Sequence, residues 1–484
     1  MLKTNSTYCT LRWGYPIVDF GRGSIRTCCR TFEERVEPEE FEEKGSDIFL
    51  NSDYQIKMRL AHLKGYKNVL KSCTTCWRLE DGKIESPRLP EWLPYPYSFK
   101  DSDKQLVKEF TDKELGEITL VNYVTNEELK LKDITLESDI LRSERPFMLE
   151  VLLSTYCDLK CSYCSPQFST KWAEEALKFG DVDKGYMDWS KPHIDSAEFE
   201  DSFWLWFDDS AIHSLDRIGM VGGEPMIQPN LFSFLDRMME SYNRLDTKKK
   251  PILWFVTNLN ASEKIIDRFY KYLPKLCEVF QVEVHASMES FGKKAEYIRF
   301  GLNCDRFVRN ANKLCSYEDK KNFHFGFQIA NNSMSITGLL DFIKVAKDLQ
   351  DTYKRGITLK HNIVTIPEFH SPMILTKDFA KYLDEVVDYL EKLPVKRMLP
   401  VPDPLGTWES FLEWITNIRD SIKNQEGEKI DWVSGDVNDV RASFYRWFKQ
   451  YDERREVNFL EVFPEYKEFY NLCKELCEVK NGII

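Results

Sequence analysis

Apolar and polar positions follow a regular order in the second and third quarters of the chain. Short apolar runs of strand length recur there, and longer stretches with helical spacing separate most of them. The runs lie at residues 147–154, 217–221, 252–257, 279–286, 323–329 and 357–364. This succession of strand–helix units predicts a parallel α/β architecture.

The segments on either side of this region have a different pattern. Residues 371–484 hold amphipathic helical patterns with little strand signal, and residues 88–99 are too rich in proline for a helix or a central strand. The predicted organisation is a small cysteine-rich domain at 1–90, a linker and extension at 91–146, the α/β domain at 147–370 and a helical region at 371–484.

Composition excludes several classes of protein. Of the 484 residues, 42% are hydrophobic and 14% aromatic, which is more core-forming material than a disordered chain carries. The net charge of −12 disfavours bulk binding to nucleic acid. No apolar run is long enough to cross a bilayer, and the first ten residues lack the apolar stretch of a signal peptide. We therefore expect a cytoplasmic protein without membrane contact.

Cysteine usage points to metal or cluster chemistry. A reducing compartment keeps the 13 cysteines from forming disulfides, and eight of them fall into groups with motif-like spacing. Cys157, Cys161 and Cys164 follow the first predicted strand with C-x3-C-x2-C spacing. Loops at the carboxyl ends of parallel strands form the site in α/β folds, and three thiolates on one loop suit an Fe–S cluster with one open iron. A zinc site that lacks its fourth ligand is the main alternative.

This loop, with Tyr163 just before its third cysteine, resembles the signature loop of radical S-adenosylmethionine (SAM) enzymes. Further segments resemble the family's motifs in the order that strand–helix units require. They are Gly222-Gly223-Glu224-Pro225 after the second strand, Thr257-Asn258 after the third, and a segment around Ser287 after the fourth. The family usually has Asp where this chain has Met288 or Glu289, which leaves the ribose ligand open.

The resemblance implies an incomplete (β/α)6 barrel of the TIM type and a defined set of site residues. Cys157, Cys161 and Cys164 would hold a [4Fe–4S] cluster that binds and reductively cleaves SAM. The residues implied for SAM binding are Tyr163, Gly222, Gly223, Glu224, Asn258 and Ser287.

The N-terminal cysteines form two pairs on separate segments. Cys9 and Cys28 flank a predicted hairpin that turns at residues 21–23, and Cys73 and Cys76 are a C-x2-C pair. Four thiols in two pairs suit either zinc or a fully ligated Fe–S cluster. The C-x13-G-x4-C spacing resembles the twitch form of the SPASM auxiliary-cluster module, which implies a second Fe–S cluster. We favour Cys28 over Cys29 as the ligand, because Cys28 fits this spacing and Cys29 would point the opposite way on a strand.

The resemblance also implies a substrate and an electron donor. Many enzymes with such modules modify peptides, so a peptide is the first expectation, and a small molecule or nucleotide is the alternative. The electron donor would be an external protein of the flavodoxin or ferredoxin kind. A non-enzymatic, zinc-stabilised binding protein is the alternative from a different functional class.

Overall fold

The computed structural model describes the following residues: 9–29, 31, 34–66, 69–74, 76–77, 97–99, 119–122, 125, 127–181, 194–246, 249–394, 399, 401–402, 406–425 and 435–480. The strands are β1 (Pro16–Asp19), β2 (Ser24–Thr27), β3 (Glu34–Arg35), β4 (Tyr97–Phe99), β5 (Thr119–Asn122), β6 (Glu128–Lys130), β7 (Met148–Leu152), β8 (Lys160–Cys161), β9 (Arg217–Val221), β10 (Ile252–Thr257), β11 (Gln281–Ser287), β12 (Arg299–Phe300), β13 (Phe323–Asn331) and β14 (Ile357–Ile363).

The helices are α1 (Leu11–Gly14), α2 (Pro38–Lys44), α3 (Ile48–Asn51), α4 (Asp53–Lys64), α5 (Thr170–Phe179), α6 (Ser196–Asp209), α7 (Leu231–Asn243), α8 (Glu263–Val279), α9 (Gly292–Ile298), α10 (Cys304–Cys315), α11 (Leu339–Tyr353), α12 (Ala380–Lys392), α13 (Trp408–Lys423), α14 (Val437–Arg455), α15 (Phe459–Val462) and α16 (Lys467–Lys480). The six predicted strands correspond to β7, β9, β10, β11, β13 and β14, so the α/β prediction is confirmed. Among the described residues, no helix combines the length and apolar character needed to cross a membrane.

The chain divides into two compact units. The first comprises residues 1–154, 182–220 and 236–251, and the second comprises residues 155–181, 221–235 and 252–484.

The sheet of the first unit contains the predicted N-terminal hairpin. β1 and β2 are antiparallel, with Asp19 opposite Ser24, and β1 also runs parallel to β7, with Ile17 opposite Glu150. The turn between β1 and β2 is closed by an ion pair between Arg22 and Asp19 at 2.9 Å. The N-terminal segment is therefore part of the same sheet as the first predicted strand of the α/β domain.

A buried arginine organises the helices of the first unit. Arg59 on α4 has no exposed surface and donates to the carbonyls of Arg12, Leu50 and Leu141 and to Oδ1 of Asn51, at 2.5–2.9 Å. A buried cation is stable only when its donors are satisfied, and here the acceptors come from three separate segments. Arg59 thus links α1, α3 and the segment before β7.

The second unit is built on four parallel strands in the order β10, β11, β13 and β14. One face of β13 packs against helices, since Phe327 contacts Phe307 of α10 and Phe342 of α11. Alternate positions on β11 are polar: Glu283 lies 2.9 Å from His285 and 3.6 Å from Lys360 of β14. The apolar face of the sheet is covered by helices, as in α/β folds, and the other face carries polar side chains.

One half-buried carboxyl group in the first unit gives a pH-dependent prediction. Burial raises the pKa of Glu150 on β7 from 4.5 to about 7, although a hydrogen bond with Tyr15 opposes this shift. A raised folded-state pKa contributes stability that is present below about pH 4.5 and is lost as the pH rises through about 7. We expect wild type to lose on the order of 3 kcal/mol over this range relative to Glu150→Gln.

Urea unfolding of the two proteins across this pH range measures that difference. Glu34, whose pKa burial also raises to about 7, titrates in both proteins and cancels in the comparison. Parallel pH profiles for wild type and Glu150→Gln would contradict the prediction.

Candidate functional site

The loop with three cysteines lies in the second unit and is held in place by the start of α5. Ser169, the N-cap of that helix, donates to the carbonyl of Leu159 at 2.7 Å. Thr170 Oγ1 exchanges hydrogen bonds with the backbone N–H and carbonyl of Cys157, each at 3.3 Å. Trp172 donates from its indole N–H to the carbonyl of Cys161 at 2.8 Å. Side chains of one helical turn therefore fix the loop backbone around its first two cysteines.

The three cysteines of this loop differ in exposure, since Cys157 is buried whereas Cys161 and Cys164 are half-buried. Burial raises the pKa of Cys157 to about 12 and that of Cys164 to about 11, and it also raises the pKa of Cys161. Without a bound cation these thiols stay protonated at neutral pH, and a metal that displaces their protons converts them into ligands. Binding of a metal by these thiols must therefore release protons.

The turn after β9 has a backbone that requires glycine. Gly222 and Gly223 have φ angles of 75° and 50°, which a residue with a side chain rarely adopts. The backbone N–H of Glu224 then donates to the carbonyl of Tyr156 at 2.8 Å. The glycine turn is thereby fastened to the residue that precedes Cys157.

The carboxylate of Glu224 joins this turn to the end of β10. Its Oε1 accepts hydrogen bonds from Thr257 Oγ1 at 2.6 Å and from the N–H of Met226 at 3.0 Å, and its Oε2 accepts the N–H of Asn258 at 2.5 Å. Burial raises the pKa of Glu224 to about 7, while these three donors act in the opposite direction. A carboxylate has about four acceptor positions, so one position on Oε2 is left for a further donor.

Two asparagines after β10 complete the connection back to the cysteine loop. Asn258 Nδ2 lies 2.8 Å from Asp158 Oδ1 and 4.0 Å from Cys157 Sγ, and Asn260 Nδ2 lies 2.8 Å from Asp158 Oδ2. The cysteine loop, the glycine turn and the end of β10 thus form one hydrogen-bonded network.

Asp158 is the acceptor on which both asparagines converge, so its loss should loosen the cysteine loop. One hydrogen bond to a charged group contributes about 1.5–3 kcal/mol, so we expect Asp158→Ala, which removes two, to speed amide hydrogen exchange in residues 156–164 by at least roughly tenfold. Exchange in α16 should stay unchanged and serves as the internal control. Unaltered protection of the loop would show that Asp158 does not hold it.

The segment after β11 places its acidic residue against the cysteine loop. Glu289 is fully buried, and its Oε2 lies 3.1 Å from Arg299 Nε and 2.5 Å from Arg299 Nη2. The hydroxyl of Tyr163 donates to the same carboxylate at 3.3 Å. Met288 is also buried, whereas Ser287 at the end of β11 is half-buried. Glu289 is thus engaged by protein groups, and Ser287 is the more accessible residue of this segment.

The N-terminal cysteines lie in the first unit. Cys9, Cys28 and Cys76 are buried, Cys73 is half-buried and Cys29 is exposed. Cys28 follows β2 with a φ angle of 82°.

Two residues without a motif lie beside Cys73. His62 Nε2 is 3.6 Å and Arg12 Nη2 is 3.7 Å from Cys73 Sγ, and Arg12 Nε donates to His62 Nε2 at 3.1 Å. The lone pair of His62 Nε2 is therefore occupied by the Arg12 guanidinium.

Among the described residues, no three His, Cys, Asp or Glu side chains converge on a point where they could hold one metal ion. A mononuclear zinc site needs its thiolate sulfurs within about 4 Å of one another, whereas a cubane binds each thiolate at a separate iron and holds them further apart. The donor set of the loop is all thiol, and soft thiolate ligands select zinc or Fe–S clusters. The chemistry of the Cys157, Cys161 and Cys164 side chains is therefore of the kind that these occupants require.

Sequence reasoning missed several residues of this network. Asp158 directly follows the predicted ligand Cys157, and Asn260 lies two positions after the predicted SAM-binding residue Asn258. The asparagine repeat at positions 258 and 260 is a sequence signal that could have identified this part of the network. Arg299 has no such signal, because it follows Cys161 by 138 positions and belongs to no motif.

The chain is similar to several solved structures at low sequence identity. No family model matches the sequence, and no curated protein is significantly similar to it. Among solved structures, the chain is similar to a histidine-tagged anSMEcpe with bound AdoMet, at 15% identity and a TM-score of 0.32, over 52% of this chain and 62% of the other. It is also similar to native anSMEcpe with bound AdoMet and a peptide, at 15% identity and a TM-score of 0.29, over 50% of this chain and 60% of the other.

A further similar structure is the apo form of the cobalamin-dependent S-adenosylmethionine radical enzyme OxsB. It has 13% identity and a TM-score of 0.28, over 84% of this chain and 55% of the other. The chain thus spans about three fifths of these two anSMEcpe chains and about half of OxsB.

Proposed function

We propose that this chain is a radical SAM enzyme. The observation that carries the proposal is the hydrogen-bonded network in which the loop of Cys157, Cys161 and Cys164 contacts both the glycine turn and the Thr257-Asn258 segment. Each of these segments resembles a motif of that family, and contact among them is what a shared ligand site requires. The motifs lie far apart in sequence, so their contact is an observation independent of their spacing.

In this proposal Cys157, Cys161 and Cys164 hold a [4Fe–4S] cluster. When bound, the cluster supplies one electron that cleaves a C–S bond of SAM, giving methionine and a 5′-deoxyadenosyl radical that takes a hydrogen atom from the substrate. Because only three cysteines would ligate four irons, one iron would be left without a protein ligand and would be available to SAM.

In this proposal, the chain's own residues bind and orient SAM next to the cluster. Glu224 has one acceptor position on Oε2 for the methionine amino group, and the backbone of Gly222 and Gly223 can approach SAM closely because neither has a side chain. Tyr163 and Ser287 remain proposed SAM-binding residues, with Ser287 the candidate for the ribose.

The proposal extends to an auxiliary Fe–S cluster in a twitch-like N-terminal domain, with Cys9, Cys28, Cys73 and Cys76 as ligands. The exposure of Cys29 and the burial of Cys28 favour Cys28 within the adjacent pair. Structural zinc is the alternative occupant of this site.

Substrate, electron donor and barrel closure rest on the resemblance alone. We propose an incomplete (β/α)6 barrel, a peptide substrate and a flavodoxin- or ferredoxin-like donor, with a small molecule or nucleotide as the alternative substrate. Mass spectrometry of peptides and metabolites from cells that express wild type or Cys157→Ala would identify the substrate.

Anaerobic reconstitution tests the proposed function. We expect about four irons for each cluster that forms, and an EPR spectrum of the reduced protein that changes when SAM is added, because SAM binds an open iron. Zinc without iron at both cysteine groups would instead support the zinc-stabilised binding protein.

A further inference from the structure

Arg299 occupies a position directly beside the cysteine loop. β12 pairs antiparallel with β8, with Arg299 opposite Cys161, and Arg299 Nη1 lies 3.9 Å from Cys161 Sγ. The backbone around this bridge is tight, since Ser162 donates to the carbonyl of Ile298 at 2.7 Å. Gly301 follows with a φ angle of 102°, and a Cβ there would lie 3.2 Å from the carbonyl oxygen of Asp158. The main chain therefore holds Arg299 at this sulfur.

The guanidinium of Arg299 is shared between a carboxylate and a thiol. Nε and Nη2 bind Glu289, while Nη1 points to Cys161 Sγ, so one rigid planar group spans both partners. Arg299 is 4% exposed and Glu289 is fully buried. The Arg299 guanidinium also lies 5.6 Å from the centre of the Tyr163 ring. Glu289 and Tyr163 fix the orientation of a cation that has little contact with water.

We propose that Arg299, oriented by Glu289, raises the reduction potential of the cluster held by Cys157, Cys161 and Cys164; this inference rests on the proposed function. Reduction adds one electron to the cluster, breaks no bond and transfers no proton to Arg299, which keeps its charge. A fixed cation next to a ligand sulfur stabilises the reduced, more negative state, and burial strengthens this effect by excluding screening water. Glu289 has the opposite charge and the opposite effect, but it lies on the far side of the guanidinium from the sulfur.

Three variants separate this charge effect from a structural role. Arg299→Gln removes the cation, Arg299→Lys keeps a cation, and Glu289→Gln removes the neighbouring anion with little change in shape. The readout is the midpoint potential of the reconstituted cluster, from EPR spectra recorded during redox titration with iron content measured in parallel.

We expect Arg299→Gln and Glu289→Gln to shift the midpoint potential in opposite directions. Arg299→Gln should make the equilibrium constant for reduction at least tenfold smaller, which is a shift of about −59 mV for one electron. Glu289→Gln should shift the potential upward, and Arg299→Lys should recover at least half of the shift caused by Arg299→Gln. A residue that only held the loop in place would lower iron content in all three variants without opposite shifts in potential.

Arg355→Gln is the matched control, because Arg355 is also a buried arginine but donates to the carbonyls of Cys315 and Phe323. It should leave the potential unchanged. The inference would be overturned if Arg299→Gln and Glu289→Gln had the same midpoint potential as wild type. It would also be overturned if these two variants shifted the potential in the same direction. A wild-type protein that binds no SAM-responsive cluster would instead overturn the proposed function.

Discussion

We expect the triple variant Cys157→Ala, Cys161→Ala, Cys164→Ala to form no 5′-deoxyadenosine with SAM and dithionite. Each cysteine supplies one of only three protein ligands to the proposed open cluster. Product formation is measured by chromatography after anaerobic reconstitution. Continued turnover by the triple variant would show that the chemistry lies elsewhere in the chain.

The triple variant also reports on the N-terminal site. If Cys9, Cys28, Cys73 and Cys76 bind a fully ligated cluster, the variant should retain about four irons, and its spectrum should not respond to SAM. About one zinc and no iron would favour a structural zinc site and leave the SAM chemistry in place. Cys315→Ala is the control, because Cys315 is a buried cysteine on α10 outside both groups. It should keep wild-type iron content.

The second large effect concerns the affinity for SAM. Glu224→Gln should weaken SAM binding by roughly tenfold to a hundredfold, since a charge-assisted hydrogen bond to an amino group contributes about 1.5–3 kcal/mol. The substitution also places an amide N–H₂ where the carboxylate now accepts from Thr257 and Asn258. We therefore expect a lower free energy of unfolding together with the lower affinity. Equilibrium titration of SAM against the reconstituted protein measures the effect.

Gln228→Ala is the control variant, because it removes a hydrogen bond from the same turn without removing a charge. Gln228 donates to the carbonyl of Tyr156 at 2.9 Å but carries no charge, so its loss should perturb the turn while leaving SAM affinity within about threefold of wild type. Wild-type affinity in Glu224→Gln with an intact cluster would reject the proposed contact between Glu224 and the methionine amino group.

The six predicted strands could be found from the sequence because each is a short apolar run, a pattern that depends only on neighbouring residues. The glycine turn was predictable for a related reason, since Gly222 and Gly223 occupy backbone conformations that other residues rarely adopt. Local patterns also located Cys157 and Asn258, but they could not show that Asp158 joins them. That contact depends on how β10 and the cysteine loop lie in three dimensions.

Buried charges were the hardest residues to predict. Arg59 lies on a helix whose sequence has no clear apolar face, and Arg299 lies on a strand of two residues. Arginine is normally exposed, so nothing in the sequence distinguishes a buried arginine from a solvated one. What decides its burial is the supply of acceptors, such as Glu289 for Arg299, and those come from distant parts of the chain.

The parallel pairing of β1 with β7 has a consequence for synthesis and for truncation. Ile17 leaves the ribosome about 130 residues before its partner Glu150, so β1 must wait for most of that synthesis before its backbone hydrogen bonds can form. A protein shortened at its N-terminus to remove Cys9 and Cys28 would lose β1 and uncover an edge of β7. An uncovered edge strand promotes aggregation, so point substitutions are the better way to remove the N-terminal cysteines.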